Sequence, residues 1–167
     1  MDKEVLDLLN TQIEKEAKAS QVYLGLSISV DFKGYSGFAE FFRNRSNEER
    51  IHLLKLVDYL SERGQLAKTP DISSFNQNYY DVEEYFEVAL DLERDTTQGV
   101  EEICAKCMSA NDFTTLNFMQ WFLTEQQEEE ALFQGILDKF SILDKNKTGI
   151  YLLQQELLDA DNTKGEI

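Results

Sequence analysis

Helix breakers are scarce in this sequence. Proline occurs once, at Pro70, and 167 residues contain 8 glycines, while Leu, Glu, Gln, Lys and Ala abound. So few interruptions favour long helices and argue against a fold of many short strands. Cationic residues are also in short supply: 16 Lys and Arg face 32 Asp and Glu, a formal charge of -16. A phosphate backbone needs a cationic face, so nucleic-acid binding is not expected. An acidic surface instead favours solubility and draws cations. No apolar run approaches the roughly 18 residues needed to cross a bilayer, so no membrane partner is expected either. The opening MDKEVLDLL lacks the basic-then-apolar order of a signal peptide, which makes the cytoplasm the expected location. Cysteine is limited to Cys104 and Cys107, a lone CxxC. Zinc would need further ligands that no second CxxC supplies, and a redox CxxC usually opens a helix after a strand. Reduced thiols packed as small apolar groups are expected. Histidine occurs once, as His52.

What remains is helical periodicity. A first helix, α1, is expected from about Lys3 to Phe32. The second, α2, starts at Ser36 or Gly37 and ends at ERGQ, where Gly64 suits a left-handed cap. α3 runs from about Asp81, an N-cap residue, to near Met108. α4 begins after Asn111 or Asp112 and ends near Phe140. A short amphipathic α5, about 148–159, precedes a polar tail, 160–167, expected to fray. The chain reads as one all-α domain over 1–167, with a four-helix bundle at about 3–140. Short links make α1–α2 and α3–α4 antiparallel hairpins. Between α2 and α3 lie the 16 residues QLAKTPDISSFNQNYY. Extended, they reach roughly 50 Å, and a helix of this length class spans roughly 42 Å. The segment can cross the whole bundle, leaving α2 and α3 parallel.

Core-facing residues of packed helices recur at spacings of three and four. On α1 that series gives Leu6, Leu9, Ile13, Glu16, Ser20, Tyr23, Ser27 and Val30, interrupted at Glu16. On α2 it gives Phe38, Phe42, Arg45, Glu49, His52, Leu56 and Tyr59, interrupted at Glu49 and His52 with Arg45 a turn away. On α3 it gives Phe86, Leu90, Glu93, Thr97, Val100, Cys104 and Cys107, interrupted at Glu93. On α4 it gives Met119, Phe122, Gln126, Glu129, Phe133, Ile136 and Phe140, interrupted at Gln126 and Glu129. Each interruption falls near mid-helix, so the polar residues should meet in one buried layer.

Buried, uncompensated carboxylates each cost several kcal/mol, and Arg45 is the only basic residue on these seams. Two divalent cations would balance four carboxylates, and carboxylate oxygens with one imidazole suit Fe²⁺, with Mn²⁺ or Zn²⁺ also admitted. Glu-x-x-His at i and i+3 lets both side chains reach one ion. The bland reading is an acidic bundle whose stripe is really surface. Tyr23 and Trp121 read first as core aromatics.

The segments EKEAKASQVYL (14–24), NEERIHLLKLVDYL (47–60) and NFMQWFLTEQQEEEALF (117–133), with the long crossover and short fifth helix, resemble the ferritin family, most closely its bacterial-type non-haem branch. The resemblance implies a ferritin-like four-helix bundle with a first iron site of Glu16, Glu49 and His52. It implies a second of Glu49, Glu93 and Glu129, with Glu49 bridging. Gln126 matches a position beside the metals that helps place oxygen or water, and Tyr23 a nearby hydrogen-bond donor and electron source. Glu48, Glu125 and Glu128, with Glu129, resemble an accessory third iron site. Haem-containing relatives carry a second Glu-x-x-His on α4, where this chain reads Gln126-Gln127-Glu128-Glu129, so no haem is expected. The implied activity is a ferroxidase that oxidises Fe²⁺ to Fe³⁺ with O₂ or peroxide at a di-iron centre. The implied assembly is a homo-oligomeric cage of twenty-four subunits around a ferric mineral. A non-oxidising metal buffer and a purely structural, cytokine-like bundle remain as alternatives.

Overall fold

Backbone groups at the helix ends find their partners locally, and this sets the boundaries. The computed structural model describes residues 1–75, 79–144 and 146–164, with side chains as far as Ala160. Helix α1 is Lys3–Phe32, α2 Ser36–Glu62, α3 Val82–Ala110, α4 Phe113–Leu143 and α5 Lys147–Lys164. Asp2 accepts from the Glu4 amide at 2.9 Å to open α1. Glu84 reaches back to the Asp81 amide at 2.8 Å to close a capping box on α3. Asp112 accepts from the Thr115 amide at 3.1 Å to open α4. At the end of α2, Gly64 takes φ 66°; its amide donates to Ser61 O at 2.9 Å and that of Gln65 to Leu60 O at 2.8 Å. This Schellman arrangement is why glycine follows the helix.

Three helices outrun their expected ends. α3 reaches Ala110 and α4 Leu143. α5 continues to Lys164, past the expected end near 159, because no Gly or Pro stands between Gly149 and Gly165. Residues 165–167 of the expected tail lie outside the described residues.

Two apolar clusters fill the bundle. One gathers Leu26 and Val30 of α1, Phe38 and Phe42 of α2, Phe86 of α3 and Phe133 and Phe140 of α4, with Leu153 and Leu157 of α5 laid against it. The other gathers Leu9 and Ile13, Leu56 and Tyr59, Val100 and Ile103, and Met119 and Phe122. The early residues of α2 and α3 thus share one end of the bundle, and those of α1 and α4 the other. α2 and α3 are parallel, and the crossover runs the bundle's length beside α1. The Lys68 amide donates to Asn10 Oδ1 at 2.7 Å, and the Lys33 ammonium donates to the Tyr79 carbonyl. Between them Phe75 passes so close to Gly25 that a Cβ there would lie 2.7 Å from the Phe75 carbonyl oxygen.

α2 has no side-chain cap of its own. Gln154 of α5 takes that part, its Oε1 accepting from the Gly37 amide at 3.2 Å. α1 and α2 are further joined by reciprocal bonds, Ser20 Oγ to Ser46 O at 2.7 Å and Ser46 Oγ to Ser20 O at 2.8 Å. Among the described residues no helix is long and apolar enough to cross a membrane.

Candidate metal centre

The plane between the two apolar clusters is polar, and all four long helices contribute to it. Glu16 comes from α1, Glu49 and His52 from α2, Glu93 from α3, and Gln126 and Glu129 from α4; none is more than 5% exposed. Water therefore does little to solvate these groups, and their partners must come from each other or from a bound ion.

Three of them converge. Among the described residues, Glu16, Glu49 and His52 alone form a group of three whose ligand atoms all lie within 4.8 Å of one another. His52 Nδ1 is 3.6 Å from Glu16 Oε2 and 3.6 Å from Glu49 Oε2, beyond hydrogen-bond reach. Those three atoms are buried without a hydrogen-bond partner. Donor atoms that face one another across a few ångströms, with nothing satisfying them, are arranged as ligands to a cation are. Gln12, one turn before Glu16, donates to its other oxygen, Oε1, at 2.8 Å and so orients the carboxylate. The outer side of the imidazole is covered by Trp121, edge-on at a centroid distance of 5.3 Å.

Glu93 is held by two donors. The Tyr23 hydroxyl donates to Oε1, and Gln126 Nε2 donates to Oε2 at 3.0 Å and to the Glu93 carbonyl at 3.3 Å. Glu129 lies against Arg45, whose Nη1 donates to Oε1 at 3.0 Å, while Oε2 has no hydrogen-bond partner.

The electrostatics reflect this crowding. Burial and then the neighbouring Glu93 and Glu16 hold the Glu49 carboxyl well above the usual range, against the opposing pull of His52. Burial raises Glu93 to about 7, although Tyr23 and Gln126 donate to it. Burial alone would lower the His52 imidazole, but Glu16 and Glu49 lift it to about 10. Tyr23 is driven well above its ordinary value by burial and by Glu93 and Glu49, so its hydroxyl stays protonated and acts as a donor. The layer thus keeps protons on Glu49, Glu93 and His52 that such groups ordinarily give up, and a divalent cation would take the place of those protons.

The structure treats the expected residues unevenly. Glu16, Glu49 and His52 form the compact cluster; Glu93, Gln126 and Tyr23 form a hydrogen-bonded set beside it. Glu129 is in the layer but engaged by Arg45. Of the accessory set, Glu48 is half-buried on Arg45, Glu125 is half-buried and Glu128 exposed, and they form no group of ligand atoms closing within 4.8 Å among the described residues. All seven seam positions proposed for α2 and all seven for α4 are buried, whereas Leu6, Ser20 and Thr97 are only half-buried. Two residues of the site stand outside the seam series, Gln12 and Trp121, and Trp121, expected as a core aromatic, is instead 38% exposed and packs against His52 from the rim of the layer. Gln12 was findable, since it stands four residues before Glu16 on one helix face. Trp121 was not, because its contact with His52 depends on how α2 and α4 pack. Cys104 and Cys107 are buried free thiols, and burial pushes Cys107 up to about 11.

Residues 6–143 match the family described as ferritin, ferritin-like domain. A bacterial non-heme ferritin of Escherichia coli is 34% identical over 161 residues, covering 95% of this chain and 98% of that one. A bacterial non-heme ferritin of Campylobacter jejuni is 34% identical over 155 residues, 93% of each chain. Among solved structures, an open pore ferritin from the hyperthermophilic archaeon Archaeoglobus fulgidus superposes with a TM-score of 0.91 at 30% identity, covering 95% of this chain and 97% of that chain.

Proposed function

This chain belongs to the ferritin family, and from that premise we propose that it is an iron-storage ferritin with its own ferroxidase centre. The observation that carries the reading is the cluster of Glu16, Glu49 and His52, two carboxylates and an imidazole facing one another in the buried middle of the bundle. Iron is the substrate. One Fe²⁺ is held by Glu16, Glu49 and His52, and a second by Glu49, Glu93 and Glu129, so that Glu49 bridges. Carboxylate oxygens stabilise the higher charge of the product, which favours oxidation. Each Fe²⁺ gives up one electron. A pair therefore reduces O₂ to hydrogen peroxide with uptake of two protons, or reduces peroxide to water.

The chain's own residues set the conditions for this. Gln12 orients Glu16, and Tyr23 and Gln126 fix both oxygens of Glu93. Trp121 and Phe122 lie against the imidazole and limit water around His52. Storage needs turnover beyond one pair of ions, so the Fe³⁺ product must leave the layer. In this reading it moves into the cavity of a homo-oligomeric cage of twenty-four subunits and joins a ferric mineral. The protein acts in the cytoplasm, uses no haem and needs no nucleic acid or membrane.

The test is the growth of ferric absorbance after adding Fe²⁺ in air. Wild type should oxidise iron rapidly and Glu49→Ala should lose the fast phase, by about 100-fold or more, because both ions lose a ligand. Equal rates in the two proteins would exclude this centre. Tight binding of Fe²⁺ by wild type without oxidation would instead identify a metal buffer.

A further inference from the structure

The polar layer already contains one fixed cation. Arg45 is 1% exposed, and its guanidinium lies 5.3 Å from the Phe41 ring centroid. Nη1 reaches Glu129 Oε1 at 3.0 Å and Glu48 Oε2 at 2.7 Å, and Nη2 donates to Glu48 Oε1 at 2.9 Å. The guanidinium thus grips both oxygens of one carboxylate and one oxygen of another. A buried guanidinium is tolerated only when so paired, and it does not lose its proton to escape the cost.

We propose that Arg45 fills a cation position between Glu48 and Glu129, standing where an additional metal ion would otherwise be held, and limits each chain to the inner pair of ions. The inference rests on the reading of the preceding subsection and deepens it. Its chemistry is competition for the same oxygens. A hard divalent cation at this place would need carboxylate oxygens from Glu48 and Glu129, and Arg45 engages three of their four. The remaining one, Glu129 Oε2, is buried and has no hydrogen-bond partner, which leaves it for the inner pair. Of the residues with which the family resemblance would build an accessory iron site, two are therefore tied to a side chain. Arg45 thereby acts as a positioning residue: it presents Glu129 to the inner ions through one oxygen and withholds Glu48.

The test is calorimetric titration of Fe²⁺, without oxygen, into the full-length, iron-stripped protein. Wild type should saturate at about two ions per chain, and Arg45→Gln at about three, because Glu48 and Glu129 then face each other without a cation. Arg45→Lys keeps the charge and should stay near the wild-type number. Adding Glu48→Gln to Arg45→Gln should return the count to the wild-type value. A folded Arg45→Gln that binds no more iron than wild type overturns the inference alone, whereas wild type that binds no iron overturns both this and the ferroxidase reading. A measurement on wild type covers the case in which Arg45→Gln does not fold. Anomalous scattering from crystals soaked in Zn²⁺ should show no ion between Glu48 and Glu129 with Arg45 in place, and an ion there beside Arg45 contradicts the proposal.

Discussion

Burial pulls the His52 imidazole toward its neutral form, yet Glu16 and Glu49 lift it to about 10, and burial raises Glu93 to about 7 from an ordinary carboxylate value of 4.5. Both folded-state values lie above the unfolded ones, so both act in the same direction. The folded iron-free chain keeps protons that the unfolded chain releases, so this contribution to stability is complete at low pH and declines as pH rises. For Glu93 the loss falls between about pH 4.5 and pH 7, and for His52 between about pH 6.5 and pH 10. The iron-stripped protein should therefore be less stable at pH 8 than near pH 5.5. Glu93→Gln, which keeps an acceptor for Tyr23 and cannot ionise, should recover about 1–3 kcal/mol at pH 8. Urea denaturation of both proteins at the two pH values measures this, and an unchanged difference between them would contradict it. At this scale the identities of the buried polar residues were legible in the sequence, because Glu16, Glu49, His52, Glu93, Gln126 and Glu129 each break an apolar stripe. Their partners were less so. That Tyr23 and Gln126 divide the two oxygens of Glu93, and that Arg45 engages Glu129, depends on side-chain direction across helices, which stripe spacing does not encode.

Helix by helix, the long α2–α3 connection is the element that decides topology, and one small residue lets it lie where it does. Glycine within an exposed helix usually costs about 0.5–1 kcal/mol relative to alanine. At Gly25 that preference should reverse, because a Cβ would meet the Phe75 carbonyl oxygen and ring carbon at 2.7 Å. Gly25→Ala should lower stability by about 1–3 kcal/mol, read as a fall in thermal midpoint. A rise would show that the crossover is not held against α1. The crossover's existence and direction followed from counting residues against helix length. The route itself, over Asn10, Gly25 and Lys33, did not, because those contacts join residues distant in sequence and carry no period. α5 was visible as an amphipathic stretch, but not its second part, in which Gln154 caps α2. The half-buried Leu6, Ser20 and Thr97 show the limit of a fixed spacing: a rod with 3.6 residues per turn drifts away from a 3.5-residue seam.

At the scale of the whole molecule, twenty-four chains of 19.3 kDa would form a particle of about 460 kDa. Light scattering on the purified protein should find that mass, and a monomer or dimer at micromolar concentration would contradict the cage. The chain's charge of -16 would concentrate Fe²⁺ around such a particle at low ionic strength. The proposed function needs less than the cage: carboxylates from four helices, in one layer between two apolar cores, would hold a pair of iron ions. Crystals soaked in Fe²⁺ without oxygen and measured on both sides of the iron absorption edge test it most directly. Two buried anomalous peaks are expected, one among Glu16, Glu49 and His52 and one between Glu49, Glu93 and Glu129. Peaks confined to exposed carboxylates such as Glu128, with none inside the bundle, would contradict it.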